Sequence, residues 1–340
     1  MIYKNAEIYN IVDMIQHKED GFLLSRIPQN VRLSLNELAQ TMAFNGCGVE
    51  IRFVLKGEYA KVILTREKIE HAPYFGIVEI FFGSFQAAQI DNPIYLADKP
   101  VEITIRKPDN LENLITLYEK EKLLYHPEII RILLPYDAPT RIIDINGDLE
   151  PPPKINEKSI LFYGSSITHG GNAISNSNTY AGKLSELLNM QLINLGFAGS
   201  AHMEQEMADY IASRQDWDIA VLEMGINVFG KWDIDKYKER VDNFVSRIAE
   251  KKKDKWIFCI DMFKSAADYF DHEKANQFRT ALKEIINRKQ LPKLVYLSGY
   301  DLLKTSRELS SDLVHPSQYG MDQIAKRLHI SIINIIKAHK

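Results

Sequence analysis

The sequence predicts an α/β fold in two parts: a C-terminal three-layer α/β/α domain built on a five-stranded parallel sheet, preceded by an N-terminal β-sandwich or barrel. Three observations carry this. After residue 157, short and almost wholly apolar runs alternate five times with longer segments of 3.6-residue period. From about residue 30 to 145, short apolar segments are instead punctuated by Gly, Pro, Asn and Asp. Between the two lies Asn146-Gly147-Asp148-Leu149-Glu150-Pro151-Pro152-Pro153-Lys154, whose consecutive prolines lack backbone donors and favour extended chain. At about 100–200 residues per domain, 340 residues accommodate two domains. The expected division is 1–150 and 151–340, with the proline run as linker or strap.

In the N-terminal part the expected strands are Val49–Leu55, Ala60–Leu64, Ile77–Phe82, Val101–Ile105, Arg131–Leu134 and Arg141–Ile145. Turn signals such as Lys56-Gly57 and Asp91-Asn92-Pro93 separate them. Asn110–Glu121 reads equally as a loop or a short helix. In the C-terminal part the strands are Ser159–Tyr163, Gln191–Leu195, Ile219–Met224, Lys255–Asp261 and Leu294–Leu297. Their uniform apolarity suits a parallel sheet covered on both faces. The helices between and after them are Thr179–Leu188, Met203–Arg214, Ile234–Lys251, His272–Arg288 and Gln318–Ala338.

Composition excludes several classes. With 45% hydrophobic and 26% charged residues the chain is neither disordered nor fibrous. A net charge of −3 gives no electrostatic footprint for nucleic acid. The densest basic run, Lys251-Lys252-Lys253-Asp254-Lys255, reads as a solvated helix end. Cys47 and Cys259 are far apart and show no metal spacing, and Cys259 lies in an apolar run that predicts burial. The first residues lack a secretory pattern, and no apolar run nears the ~20 residues of a membrane span. The expected location is the cytoplasm, with no membrane partner.

In a parallel α/β sheet, function gathers at the carboxyl ends of the strands. Gly164-Ser165-Ser166-Ile167-Thr168-His169 follows the first of these strands, and Asn194-Leu195-Gly196-Phe197-Ala198-Gly199-Ser200 ends the second. Met224-Gly225-Ile226-Asn227 ends the third, and Ser311-Asp312-Leu313-Val314-His315-Pro316 precedes the last helix. Together they supply a hydroxyl, an imidazole, a carboxylate, a carboxamide and glycines.

These four blocks, in this order, resemble those of the SGNH hydrolases, the GDSL esterase/lipase superfamily. Gly164-Ser165-Ser166 resembles the Gly-Asp-Ser block and Gly199 the second block's glycine. Gly225-Ile226-Asn227 resembles Gly-x-Asn-Asp, and Asp312 with His315 resembles Asp-x-x-His. The resemblance implies Ser166 as nucleophile, His315 as base and Asp312 as its partner. It also implies an oxyanion hole made by the Ser166 and Gly199 amides and the Asn227 carboxamide. Ser165 and Val228 stand where the family has aspartates, which leaves the subfamily and substrate open.

The residue types suit acyl transfer. A serine hydroxyl needs a base within hydrogen-bond reach, and the base needs an orienting group. The oxyanion needs preorganised donors, which a glycine amide and a neutral carboxamide supply without added charge. Each block alone also has a structural reading: Ser-Ser-Ile-Thr as a helix cap, Asp312 and His315 as cap and surface histidine, Gly199 and Asn227 as turn residues. His169 is either a pocket residue or an idle loop histidine, and His202 is expected to face solvent. Phe229 and Trp232 form either a pocket wall or core, Glu223 is a carboxylate without a role, and Asp261 caps a loop.

A β-rich domain ahead of an SGNH domain resembles the second carbohydrate-esterase family, which implies a jelly-roll-like sandwich and removal of acetyl groups from sugars. It also resembles two-domain acyl-transfer proteins of natural-product assembly. The leading expectation is therefore a serine esterase for short acyl esters of a carbohydrate or small metabolite, requiring no metal or organic cofactor. The alternatives are an acyltransferase with the same residues and a non-catalytic carbohydrate-binding protein. A fourth reading takes Gly164–Thr168 as a phosphate-binding loop, which leaves Asp312 and His315 unexplained.

Overall fold

The computed structural model describes residues 1–68, 75–155 and 158–339. The chain falls into two compact units, neither of them contiguous. The first comprises residues 1–29, 43–157 and 175–177; the second comprises 30–42, 158–174 and 178–340.

The first unit is antiparallel throughout. Its eleven strands among the described residues form one hydrogen-bonded network in which Glu50–Arg66, the longest of them, is paired along both edges. One edge of that strand pairs with Ile129–Leu133 and Val101–Ile105, the other with Ala6–Tyr9 and Thr140–Glu150. Alternate side chains such as Ile51, Phe53, Leu55, Val62 and Leu64 enter a common apolar core. The sequence divides this strand in two at Lys56-Gly57. In the structure the break is a bulge: Leu55 pairs with Leu149 and Ala60 with Gly147, so residues 56–59 lie opposite Asp148 alone. Asn146–Glu150, read as linker, is the end of a strand, because pairing with residues 54–61 absorbs it. The open reading of Asn110–Glu121 resolves as a helix, Leu111–Glu121, closed by Lys122 in the left-handed region.

The second unit holds five parallel strands in the order Gln191–Gly196, Ser159–Gly164, Ile219–Glu223, Trp256–Ile260, Leu294–Leu297. In chain order this is 2-1-3-4-5, so the winding reverses beside the first strand, where α/β sheets open a crevice for ligands. Nearly every residue of the first four is buried, while the edge strand Leu294–Leu297 is mostly half-buried. Helix Gln318–Ala338 packs on Tyr180–Leu187, while Ile234–Lys251 packs on Gln205–Ser213 and His272–Arg288. Side chains cap several of these helices: Thr179 accepts from Gly182, Asp233 from Lys236 and Ser317 from Gly320. The basic run departs from its expected solvation at Lys252, which is buried and donates to the Arg214 carbonyl. Both cysteines are buried. Among the described residues, no helix is long and apolar enough to cross a membrane.

Candidate active site

The strand Ser159–Gly164 runs directly into a one-turn helix, Ser166–His169. Ser165 caps that turn, its hydroxyl accepting from the Ile167 amide. Ser166 is thereby the first residue of the helix, half-exposed at the strand end. Its Oγ lies 2.7 Å from His315 Nε2. His315 Nδ1 lies 2.8 Å from Asp312 Oδ2. The hydroxyl, imidazole and carboxylate expected to meet are therefore within hydrogen-bond reach in sequence.

Asp312 fixes the tautomer. Its carboxylate takes five contacts: the His315 ring and Asn172 Nδ2 on one oxygen, and Ser310 Oγ with the Val314 and His315 amides on the other. Partial burial would raise its pKa, but those donors outweigh it and hold the group well below the usual carboxylate range. An ionised carboxylate only accepts, so Nδ1 carries the ring proton and Nε2 presents its lone pair to Ser166. Asn172, in the left-handed region at φ 67°, bridges Ser310 and Asp312 and so ties the segment after Ser166 to the loop that carries Asp312. Gly171 packs against the ring: a Cβ there would stand 2.8 Å from His315 Cδ2.

Three donors are free. Among the described residues, neither the Ser166 nor the Gly199 amide has an acceptor, and Asn227 Nδ2 has none either. Asn227 Oδ1 accepts from the Ala201 amide at 3.1 Å, which orients its amide and leaves Nδ2 available. Gly199 adopts φ +67°, where a side chain is strained.

Glu223, without a role in the sequence, is bound to this turn. It is buried at the end of the third parallel strand; its Oε2 accepts from the Ser165 amide at 2.7 Å and the Thr168 hydroxyl at 3.2 Å. Burial raises its pKa against those hydrogen bonds, and its Oε1 has no partner among the described residues. The signal in the sequence was a lone acid ending an apolar strand.

The remaining candidates separate. His169 is buried with Nδ1 on the Gly196 carbonyl, a structural bond between the Ser166–His169 turn and the second strand. His202 does not face solvent freely: burial lowers its pKa, its Nε2 is enclosed, and its ring lies 5.8 Å from that of Trp232. Phe229 packs edge-on against Phe278. Asp261 accepts from the Gly299 amide and from Tyr296, and burial pushes its pKa up to about 6. Val228, in the family's aspartate position, is buried.

Several solved structures share this architecture. A salicylyl-acyltransferase from a tetracycline biosynthetic pathway matches with TM-score 0.78 at 16% identity, over 97% of this chain and 95% of that one. A protein named a GDSL-like lipase, from Bacteroides ovatus, matches with TM-score 0.69 at 18% identity, over 98% of each chain. A family two carbohydrate esterase from Clostridium thermocellum, solved with cellohexaose, matches with TM-score 0.58 at 17% identity, over 85% and 92%. No curated protein sequence matches the chain. Residues 157–333, just over half of the sequence, match the model of the GDSL-like lipase/acylhydrolase family. The chain therefore belongs to that family, in the two-domain form with an antiparallel sandwich ahead of the α/β unit.

Proposed function

We infer that this protein is a serine esterase that cleaves short acyl esters, acetyl above all, of a carbohydrate or small metabolite through an acyl-enzyme on Ser166. The observation that carries the reading is the unbroken relay from Ser166 Oγ to His315 Nε2 and from His315 Nδ1 to Asp312. In this mechanism His315 takes the hydroxyl proton as Oγ attacks the ester carbonyl. The oxyanion is held by the Ser166 and Gly199 amides and Asn227 Nδ2. His315 then gives its proton to the departing alcohol, leaving the acyl group on Ser166. Water repeats the cycle, releasing the acid and restoring the hydroxyl. Residues 151–340 act as the hydrolase domain, joined by residues 30–42, and the sandwich as an accessory domain.

Ser166→Ala tests this on 4-nitrophenyl acetate, with intact-protein mass spectrometry for an acetyl adduct. Turnover and adduct are expected in the wild type and lost in the variant while the fold survives. Full turnover in the variant overturns the assignment. A second reading is acyl transfer, favoured by the whole-chain likeness to an acyltransferase. The same acyl-enzyme then meets an acceptor alcohol instead of water. Alcohols added to the assay separate the two: ester products outpacing free acid establish transfer.

A further inference from the structure

The α/β unit includes a segment from far upstream in the chain, residues 30–42. Within it, Asn36 precedes the short helix Glu37–Met42, and its Oδ1 accepts from the Ala39 amide at 3.1 Å. The Nδ2 of the same side chain donates to the Ser200 carbonyl at 2.9 Å and to Glu204 Oε1. Asn36 thus caps its own helix and fastens it to the loop that presents the Gly199 amide. Two residues on, Leu38 stands against Gly199: its Cδ2 lies 3.1 Å from where a Cβ would be, the one atom within 4 Å of that point among the described residues other than Gly199 and its chain neighbours. Leu38 nonetheless remains 45% exposed. Leu38 thus sets an exposed apolar surface directly beside the glycine whose amide is free.

We propose that Leu38 is the wall of the acyl subsite and sets the length of the acyl group the enzyme accepts. The proposal rests on the Ser166 reading above. In the tetrahedral intermediate one substituent is the oxyanion, directed at the free amides. Another is the departing alcohol, which must reach His315 Nε2 to receive its proton. The acyl chain is the substituent left to meet the surface on Gly199. An apolar wall there fits an uncharged alkyl acyl group, and a wall this near the hole fits a short one. One methylene in a hydrophobic pocket changes kcat/KM by about 10–200-fold, so trimming or enlarging this side chain should reset the length preference.

The experiment measures kcat/KM for 4-nitrophenyl acetate, butyrate and hexanoate with wild type, Leu38→Ala, Leu38→Trp and Ser166→Ala. A second series holds acetyl constant and varies the alcohol. The expected result is a hexanoate-to-acetate ratio raised about tenfold or more in Leu38→Ala and lowered in Leu38→Trp, with the alcohol ranking unmoved. An acyl ranking unchanged in both variants while Ser166→Ala is inactive overturns the subsite alone. So does a change confined to the alcohol series, which places Leu38 on the leaving-group side. Turnover retained in Ser166→Ala overturns the nucleophile assignment and the subsite with it. Because Leu38 is half-exposed, both variants should fold, and their melting curves check this.

Discussion

Asn227 can be changed in two ways that separate loss of a donor from gain of a charge. In Asn227→Ala the free Nδ2 disappears, and so does the acceptor for the Ala201 amide. Removal of one oxyanion donor costs about 10²–10³ in kcat, or about 2.7–4 kcal/mol. Asn227→Asp is isosteric and keeps an oxygen for the Ala201 amide, so the loop geometry is retained. It also loses the donor and sets a second negative charge beside the forming oxyanion. At about 4 Å and an effective dielectric near 20, that repulsion is about 4 kcal/mol. The aspartate variant should therefore be about 10³-fold slower than the alanine variant, although its contacts in the resting enzyme are better preserved. The assay is kcat and KM on 4-nitrophenyl acetate near pH 7. Both losses should fall on kcat, because the interaction matures only in the transition state. An aspartate variant as active as the alanine one, or a defect confined to KM, would refute the placement of Asn227 in the oxyanion hole.

Changes at three further residues test the same geometry. Asp312→Asn keeps acceptors for the Val314 and His315 amides but can donate to Nδ1, favouring the wrong tautomer; kcat should fall about 10⁴-fold, as tautomer loss does in a serine-protease triad. Because the Asp312 pKa is depressed in the folded protein, its stabilisation is present above the unfolded carboxylate value and is lost as pH falls through the folded one. The melting temperature of the asparagine variant should thus depend less on pH in the acid range, as thermal melts over an acid pH series will show. Gly171→Ala places a Cβ against the His315 ring and should lower kcat by about 10²-fold with little change in KM, since a displacement of about 1 Å at reacting groups costs that much. Glu223→Gln keeps an oxygen for the Ser165 amide and should retain most activity and stability. Glu223→Ala strands that buried donor and should cost about 1–3 kcal/mol, measured from the denaturant midpoint.

The parallel sheet was legible because it is buried on both faces. Strands such as Trp256–Ile260 are then uninterrupted apolar runs, and the helices Ile234–Lys251 and His272–Arg288 carry periodic apolar stripes that begin and end where the sequence says. The strand-end rule brought Ser166, Asp312 and His315 together from positions nearly 150 residues apart. What escaped was everything set by tertiary pairing. Asp13–Gln16 and Phe22–Ser25 are short strands whose identity depends on their partners. Lys56-Gly57 has a turn's composition but is a bulge, because Thr140–Glu150 continues past it. Glu223 and Asn172 are single polar residues without a local pattern; only the fold reveals that each is hydrogen-bonded to the relay or its supporting turn. Leu38 lies in a six-residue helix, with Asn36 just before it, too brief to leave a periodic trace.

The interleaving of the polypeptide constrains how this protein can be cut and inherited. Asn36 travels with the first half of the gene yet serves the loop bearing Gly199. Asn176, encoded in the second half, occupies the Gly48 amide and the Gly46 and Leu134 carbonyls of the sandwich unit. A cassette ending at the prolines would leave each fragment without a fastening that the other supplies. Recombination near residue 150 is thus expected to produce two damaged products, and any shuffling of the α/β unit onto another N-terminal module must carry residues 30–42 along.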